Sequence, residues 1–127
     1  MKTDQKQTTN QIGDYGERKA ARYLMRRGYW IKERNYRAGK YEIDLIAVSF
    51  RQIVFVEVKT RSYRAEDLAD GIPPRHAVDA EKIRYTRAAA NQYLREHPTR
   101  KKPRMDVIEV WIIDKKVVRI HHIPKAY

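Results

Sequence analysis

Two carboxylates and a lysine occur on two apolar segments that follow one another in the chain. Asp44 lies within residues 42–48, and Glu57 and Lys59 lie within residues 53–60. Both segments are rich in valine and isoleucine, which predicts two β-strands. Paired carboxylates bind hard divalent cations such as Mg²⁺ or Mn²⁺, and a nearby lysine stabilises charge that develops on a phosphate. The chemistry that this set indicates is metal-assisted hydrolysis of a phosphodiester.

The pairing of these two strands decides whether the carboxylates meet. A hairpin closed symmetrically at Phe50 and Arg51 places Asp44 directly opposite Glu57, where Cβ atoms lie about 4.5–5.5 Å apart. A slip of one residue would put the two carboxylates on opposite faces of the sheet. Alternation along the second strand puts Glu57 and Lys59 on one face. Because like charges repel at this distance, a bound cation would make the pair favourable.

Glu17 is a further acidic candidate, on a helix predicted over about residues 10–27. Its neighbours one and two helical turns along are apolar, so a buried Glu17 would need a partner. It could reach the same metal directly or through water. The alternative is an exposed glutamate that pairs with Lys19 or Arg22.

The other residues of this set also have purely structural interpretations. Glu57 and Lys59 could form a surface ion pair between strands, which contributes little to stability. Asp44 could cap the turn that contains Gly39. Glu42 shares a face with Asp44 and is interpreted as an edge charge rather than as a metal ligand.

The elements that must position these residues follow the order α-β-β-β-α-β-β. Helices are predicted over about residues 10–27 and 79–97, and strands over residues 29–34, 42–48, 53–60, 105–113 and 116–123. Residues 61–77 are predicted to form a long loop that closes over substrate. The predicted fold class is α/β, a mixed sheet flanked by helices, in a single domain over residues 10–127 that follows a disordered tail over residues 1–9.

Composition restricts the partners and the compartment. The chain has 127 residues, with 28 Lys and Arg against 16 Asp and Glu, a net charge of +12, and no cysteine. The lack of cysteine excludes disulfides and thiolate zinc sites, and the excess of cations predicts a nucleic acid as partner before an anionic membrane. The longest apolar run, residues 110–113, is too short to span a bilayer. Residues 1–10 contain no apolar stretch typical of a secretory signal, so we expect a cytoplasmic protein.

Taken together, the motifs resemble the bacterial YraN family. The segments that carry the resemblance are residues 13–17 (GDYGE), 42–47 (EIDLIA) and 55–61 (FVEVKTR), and it runs from about residue 12 to residue 123. Asp44, a gap of 12 residues and then Glu57-Val58-Lys59 is similar to the PD-(D/E)xK nuclease signature, with Ile43 where proline often stands. That family is regarded as restriction-endonuclease-like and as similar to archaeal Holliday-junction resolvases.

The resemblance implies a restriction-endonuclease-like sheet and a role for each matching residue. Asp44 and Glu57 would be metal ligands, Lys59 the catalytic lysine, and Glu17 the helical glutamate of the resolvase-like pattern. We therefore expect one Mg²⁺ or Mn²⁺, held by Asp44, Glu57 and the main-chain carbonyl of Val58, and cleavage of DNA, with branched DNA as a candidate substrate. A homodimer is compatible with the resolvase resemblance. The alternative is a non-catalytic nucleic-acid-binding protein that keeps a nuclease-like fold.

Basic residues spread along the chain are predicted to contact backbone phosphates. They are Arg18, Arg22, Arg26, Arg61, Arg64, Arg75, Arg100, Lys101 and Lys102. Tyr36 and Tyr63 fall in predicted loops among arginines and are candidates for stacking on unpaired bases, with chance placement as the alternative. No element is typical of a groove-reading motif, so recognition of nucleic-acid shape is expected rather than recognition of sequence.

Overall fold

The computed structural model of the chain describes residues 9–69, 71 and 80–127. Its helices and strands are α1 (Thr9–Arg26), β1 (Trp30–Ala38), β2 (Tyr41–Val48), β3 (Gln52–Tyr63), α2 (Ala80–Glu96), β4 (Lys102–Ile113) and β5 (Lys116–Ile123), with a short 3-10 turn at Ala65–Leu68. The strands form one sheet in the order β1-β2-β3-β4-β5. β3 and β4 are parallel, and the other neighbouring strands are antiparallel. The predicted mixed sheet flanked by helices is confirmed.

Each helix covers one face of the sheet, because each presents a stripe of small and apolar side chains. α1 contributes Ala20, Ala21 and Leu24 to a core that includes alternate residues of β2, β3 and β4. α2 contributes Ala89, Ala90 and Tyr93 to a second core on the opposite face, which includes Ile46, Ile53 and Phe55. The sheet is therefore buried on both faces at its centre.

Gly16 brings α1 close to β3. A Cβ added at Gly16 would overlap the side-chain oxygen of Thr60 and press on its Cβ and Cγ2 atoms. Only glycine allows this approach without a shift of one element, so Gly16 fixes how near the following Glu17 comes to the sheet.

The strand bounds differ from the prediction by more than one residue at three places. β4 begins at Lys102 rather than at residue 105, because its pairing with β3 starts at Gln52. β1 continues to Ala38, beyond its predicted end at residue 34, because Asn35 adopts a left-handed φ of 53° that interrupts the alternating pattern without ending the strand. β3 continues to Tyr63 because its pairing with β4 extends to Ile113, so the start of the predicted 61–77 loop is wrong.

Some predicted features lie outside the described residues. These are residues 1–8 of the predicted tail, residues 70 and 72–77 of the predicted loop, which include Arg75, and residue 79, the predicted start of the second helix. Thr9, predicted to be the last residue of the tail, is the first residue of α1. Within the described ranges, no helix is long and apolar enough to cross a membrane.

Candidate active site

Asp44 lies where β2 separates from β3. The pairing of the two strands has the predicted symmetric register and extends as far as Leu45 and Val56. Just beyond that pair, Asp44 directs its carboxylate at the neighbouring strand, and its Oδ2 accepts a 2.8 Å hydrogen bond from the main-chain N–H of Val58. This contact holds the Asp44 carboxylate beside β3 at the position that follows Glu57.

Glu57 is the most buried acid of this region, with 9% of its surface exposed. Its Oε2 lies 3.2 Å from the Nζ atom of Lys82, in the first turn of α2. Its Oε1 accepts a long hydrogen bond of 3.5 Å from the hydroxyl of Tyr127. Burial, and then the negative charge of Glu57, raise the pKa of Tyr127 to about 12, against an opposing contribution from Thr86. Tyr127 therefore remains a hydrogen-bond donor at neutral pH.

Lys59 lies two residues beyond Glu57 on β3 and is half-buried. The pairing of β3 with β4 is regular from Gln52 to Tyr63, so the side chains of Glu57 and Lys59 lie on the same face. This is the face against which α2 packs, since Glu57 contacts Lys82. The carboxylate and the ammonium therefore belong to one side of the sheet, as the alternation predicts.

Burial of Asp44 changes how readily it ionises. Burial raises the pKa of Asp44 to about 6, the hydrogen bond from Val58 opposes this rise, and the negative charge of Glu57 adds to it. The charge of Lys82 lowers the pKa, but not enough to restore the ordinary value. Asp44 and Glu57 are thus close enough for their charges to repel, and a cation between them would relieve that repulsion.

Glu17 reaches the same region from α1. Burial, and then the negative charges of Asp44, Asp14 and Glu42, raise the pKa of Glu17 to about 7. The candidate set of Glu17, Asp44, Glu57 and Lys59 is called the carboxylate pocket below. The charge of Asp44 therefore acts on Glu17, and that Glu17 reaches the same metal as Asp44 stays a prediction.

Asn35 completes the side of the carboxylate pocket that faces β1. The pairs Arg34–Leu45 and Tyr36–Ile43 place Asn35 opposite Asp44. A hydrogen bond from the Asn35 side chain lowers the pKa of Glu17 and so opposes the larger effects of burial and charge. Asn35 therefore links the helical glutamate to the strand that flanks Asp44.

The donor set of the carboxylate pocket fits a hard divalent cation. Across the described residues, no three histidine or acidic side chains converge into a complete metal cage. Mg²⁺ does not require one, because it commonly uses one or two carboxylates and completes its shell with water and substrate phosphate. Asp44 and Glu57 meet this requirement, and the main-chain carbonyl of Val58 remains a predicted third ligand.

Three residues that contact the acids of the carboxylate pocket were not predicted, namely Lys82, Asn35 and Tyr127. The position of Lys82 could have been inferred from helical spacing. It lies one turn before Thr86, and so on the side of α2 that faces the sheet. Asn35 was less predictable. Asparagine is enriched among residues with a left-handed backbone, which is the conformation that Asn35 adopts on β1. Nothing in the sequence around Tyr127 indicates a contact with Glu57, since that contact depends on tertiary structure.

The predicted phosphate contacts on α1 lie on the surface. Arg18, Arg22 and Arg26 are exposed. Arg22 and Arg26 line a groove of about 750 Å³ between α1 and β5, together with Lys19 and Arg27. This groove, called the α1 groove below, is a concentrated positive surface on the α1 side of the sheet.

Arg61, also predicted to contact phosphates, is held by contacts within the fold. Its Nη2 lies 3.3 Å from Glu109 Oε2, and its side chain is 13% exposed. The guanidinium also stacks over the Trp111 ring at 5.4 Å. These contacts commit Arg61 to the sheet, whereas Arg64 at the end of β3 is exposed.

The basic residues 100–102, where β4 begins, also include both exposed side chains and one that is held within the fold. Arg100 and Lys102 are exposed. Lys101 donates hydrogen bonds from Nζ to the main-chain carbonyls of Ser49, at 2.7 Å, and Phe50, at 3.0 Å. Lys101 therefore fixes the turn between β2 and β3.

The prediction that Tyr36 and Tyr63 lie in loops is wrong. Tyr36 belongs to β1, donates a 2.8 Å hydrogen bond to Glu96 and packs edge-on against Tyr93. Tyr63 belongs to β3 and stacks on Trp111. Both rings are packed within the fold and are poorly placed to stack on bases.

Comparison with known proteins gives one consistent family. A sequence model described as Uncharacterised protein family UPF0102 matches residues 16–110. A UPF0102 protein of Bacteroides thetaiotaomicron is 38% identical over 118 residues, covering 93% of this chain and 93% of the relative. A UPF0102 protein of Caldanaerobacter subterraneus subsp. tengcongensis is 39% identical over 119 residues, covering 91% and 93%. A third, from Alkaliphilus oremlandii, is 41% identical over 119 residues, covering 91% and 97%.

Proposed function

The chain belongs to the uncharacterised protein family UPF0102, and from this premise and the carboxylate pocket we propose that it is a metal-dependent nuclease that hydrolyses phosphodiester bonds in DNA. The observation that carries the proposal is the hydrogen bond from the Val58 N–H to Asp44. It brings an aspartate of β2 to the point of β3 that lies between Glu57 and Lys59. The proposal includes the resemblance to the PD-(D/E)xK signature and a restriction-endonuclease-like sheet.

The burial of the acids supports a functional role over a structural one. A surface ion pair would leave Glu57 exposed, whereas it is 9% exposed. A turn cap would aim Asp44 at the turn containing Gly39, whereas its carboxylate accepts a hydrogen bond from β3. Clustered acids with raised pKa values are unfavourable for folding, and they are concentrated at functional sites.

Each residue of the pocket has a proposed task. Asp44, Glu57 and the Val58 carbonyl would hold one Mg²⁺ or Mn²⁺. The bound metal would supply Lewis-acid stabilisation of the phosphate and would make a bound water more acidic. Lys59 would donate hydrogen bonds to the attacking water or to the phosphate oxygens. Glu17 would accept a hydrogen bond from water at the edge of the pocket and, with a pKa of about 7, is able to exchange a proton near neutral pH.

The distribution of charge supports nucleic acid as the substrate. The net charge is +12, and the exposed cations include Arg18, Arg22, Arg26 and Arg64. Contacts to the phosphate backbone would hold the substrate without reading its sequence. We propose DNA as the substrate, including branched DNA, with action in the cytoplasm and a homodimer as the assembly that the resolvase resemblance suggests.

The test is a cleavage assay with and without divalent metal. Wild type is incubated with supercoiled plasmid, linear duplex, single strand and a four-way junction in Mg²⁺, in Mn²⁺ and in EDTA. We expect cleavage of at least one substrate that requires the metal. Asp44→Asn, Glu57→Gln and Lys59→Ala should each reduce the rate by about a hundredfold or more, whereas Glu17→Gln should have a smaller effect that depends on pH.

Matched variants distinguish the pocket from general loss of charge. Glu66→Gln and Lys116→Ala change exposed residues outside the pocket and should leave cleavage unchanged. Cleavage that is equally fast in Lys59→Ala and wild type would contradict the mechanism. DNA binding with no cleavage and no divalent-metal binding would replace it with the alternative, a non-catalytic nucleic-acid-binding protein.

A further inference from the structure

Two exposed aromatic residues lie at the end of the sheet opposite the carboxylate pocket. Phe50 is 87% exposed and Trp30 is 72% exposed, the two largest values among the large hydrophobic residues that the structure describes. Trp30 pairs with Val48, two residues before Phe50. Leaving such large apolar surfaces in water is unfavourable, and exposed aromatic residues that are grouped together often mark a binding surface.

The turn that carries Phe50 is firmly held. Lys101 Nζ donates to the carbonyls of Ser49 and Phe50 at 2.7 Å and 3.0 Å. The main-chain N–H of Lys102 donates to the carbonyl of Arg51 at 2.9 Å. Since three hydrogen bonds from the segment before β4 anchor this turn, the Phe50 ring is presented on a rigid support.

The charged residues that line the groove beside Phe50 are all basic. The groove beside Phe50 is lined by Gly28 and by residues 49–52 and 99–102, none of which is acidic. Arg51, Arg100 and Lys102 are exposed there. They line, with Phe50, an open groove of about 1100 Å³. This groove together with Trp30 is called the aromatic platform below.

We propose that the aromatic platform binds unpaired nucleotides of a nucleic acid strand. Bases would stack on the Phe50 and Trp30 rings, and phosphates would contact Arg51, Arg100 and Lys102. Stacking accepts any base, because every base has a π-face, and cations along the groove would follow the backbone. A second copy of this chain is a poor occupant, because two such positive surfaces would repel one another.

The aromatic platform is separate from the proposed catalytic site. Glu57 lies five positions after Gln52 on β3, which corresponds to about 17 Å at the rise of an extended strand. The inference concerns binding alone, so it holds whether or not the carboxylate pocket cleaves DNA. If both proposals hold, the protein would act on substrates that combine a cleavable bond with an unpaired segment.

The test uses the fluorescence of Trp30 in EDTA, where metal-dependent cleavage is absent. The chain has two tryptophans, and Trp111 is only 5% exposed, so a bound strand should affect mainly Trp30. We expect single-stranded oligothymidylate to quench the emission of wild type. Trp30→Phe should keep binding while losing this quenching, because phenylalanine retains a ring that stacks.

Affinity measured by anisotropy of a labelled strand completes the test. Trp30→Ala and Phe50→Ala should each weaken single-strand binding roughly 5- to 150-fold, the range for one stacked base, and should leave duplex binding nearly unchanged. Phe50→Leu keeps the apolar volume and should weaken binding similarly. Val118→Ala removes apolar surface that is 55% exposed on β5 and should change nothing.

Three results would overturn the inference. The first is single-strand affinity in Phe50→Leu and Trp30→Ala equal to that of wild type. The second is unchanged Trp30 emission when the strand is saturating. The third is a wild-type dimer in sedimentation that Phe50→Leu dissociates without loss of affinity for the strand, which would make the surface a contact between copies of the chain.

Discussion

The Nζ atom of Lys82 lies 3.2 Å from Oε2 of Glu57 and joins the first turn of α2 to the third strand. The lysine side chain is 49% exposed and that of the glutamate 10% exposed, so the charge of a nearly buried acid is balanced by a cation that reaches in from solvent. Because a divalent cation on Glu57 would be repelled by this ammonium, Lys82 and the proposed metal compete for the same carboxylate.

Replacement of Lys82 should therefore separate stability from metal binding. In Lys82→Met without metal, Glu57 loses its cationic partner, and we expect the free energy of unfolding to fall by about 1 kcal/mol. The affinity for Mn²⁺ should rise, because the competing charge is gone. Urea denaturation and titration calorimetry measure the two effects, with Lys32→Met as an exposed control. Weaker Mn²⁺ binding in Lys82→Met would show that the lysine assists the metal instead.

Glu17 should make the protein less stable as the pH rises. Its pKa of about 7 lies above the ordinary value of 4.5, so the folded state holds the proton more tightly than the unfolded state. The resulting stabilisation is complete below about pH 4.5 and is lost as the pH rises through about 7.

Glu17→Gln removes this dependence on pH. We expect the variant to be more stable than wild type at about pH 8, by about 1 kcal/mol after allowance for screening of a half-exposed group, and equal to it at about pH 4. Thermal unfolding at the two pH values measures the difference, with Glu66→Gln as the exposed control. Equal stability of Glu17→Gln and wild type at both pH values would place the Glu17 carboxylate in water, away from Asp44.

Asp106 should be essential for folding rather than for catalysis. It is fully buried and accepts two hydrogen bonds from Arg104, at 2.8 Å and 2.7 Å, while His122 Nε2 lies 2.6 Å from its Oδ2. Asp106→Asn would leave the Arg104 guanidinium without its charged partner, so we expect a loss of about 3–5 kcal/mol in urea denaturation. Asp67→Asn, at an exposed position, is the control. A loss no larger than that of the control would exclude this role.

The same carboxylate has the opposite dependence on pH to Glu17. Burial alone would raise the pKa of Asp106, but hydrogen bonds from His122 and Arg104 outweigh it, so the pKa lies below its ordinary value. Its stabilisation is present above the ordinary carboxyl range and is lost as the pH falls through the lowered pKa. The difference in unfolding free energy between wild type and Asp106→Asn should therefore shrink on acidification, and a constant difference would contradict this.

The approach of α1 to β3 is testable through Gly16. Gly16→Ala should destabilise the protein by about 1–3 kcal/mol, because its Cβ overlaps the Thr60 side-chain oxygen. In the Thr60→Ala background that oxygen is absent and the cost should be smaller. A double-mutant cycle by thermal unfolding measures the coupling, and Gly13→Ala, which meets no neighbouring atom, corrects for helix propensity. Equal costs in both backgrounds would mean that α1 and β3 are not in contact there.

Local patterns were sufficient for the mixed sheet and for the register of β2 with β3, because a symmetric turn leaves few other pairings. That register ends at Leu45 and Val56, so the predicted pair of Asp44 directly opposite Glu57 is not formed, and Asp44 instead contacts the main chain of Val58. The contact between Asp44 and Val58 was not predictable, since it arises where the strands separate and pairing rules no longer apply. Lys82 belongs to α2, which is part of the connection between the parallel strands β3 and β4. Its position therefore depends on how the helix packs on the sheet.

Charge patterns predicted less than strand patterns did. Arg61 and Lys101 were predicted to contact phosphates because they are basic. In the structure, Arg61 pairs with Glu109, and Lys101 holds the turn between β2 and β3. Exposure of a basic residue depends on tertiary neighbours, which sequence spacing does not reveal. The exposure of Trp30 and Phe50 was not predicted either, because it depends on which elements cover this end of the folded sheet.

The most direct measurement of the central claim is Mn²⁺ binding followed by electron paramagnetic resonance, with calorimetry for stoichiometry. We predict one Mn²⁺ per chain in wild type, with binding strongly weakened in Asp44→Asn and in Glu57→Gln and little further loss in the double variant, because both carboxylates serve one ion. Mn²⁺ binding that persists unchanged in the double variant, or that is absent in folded wild type, would contradict it.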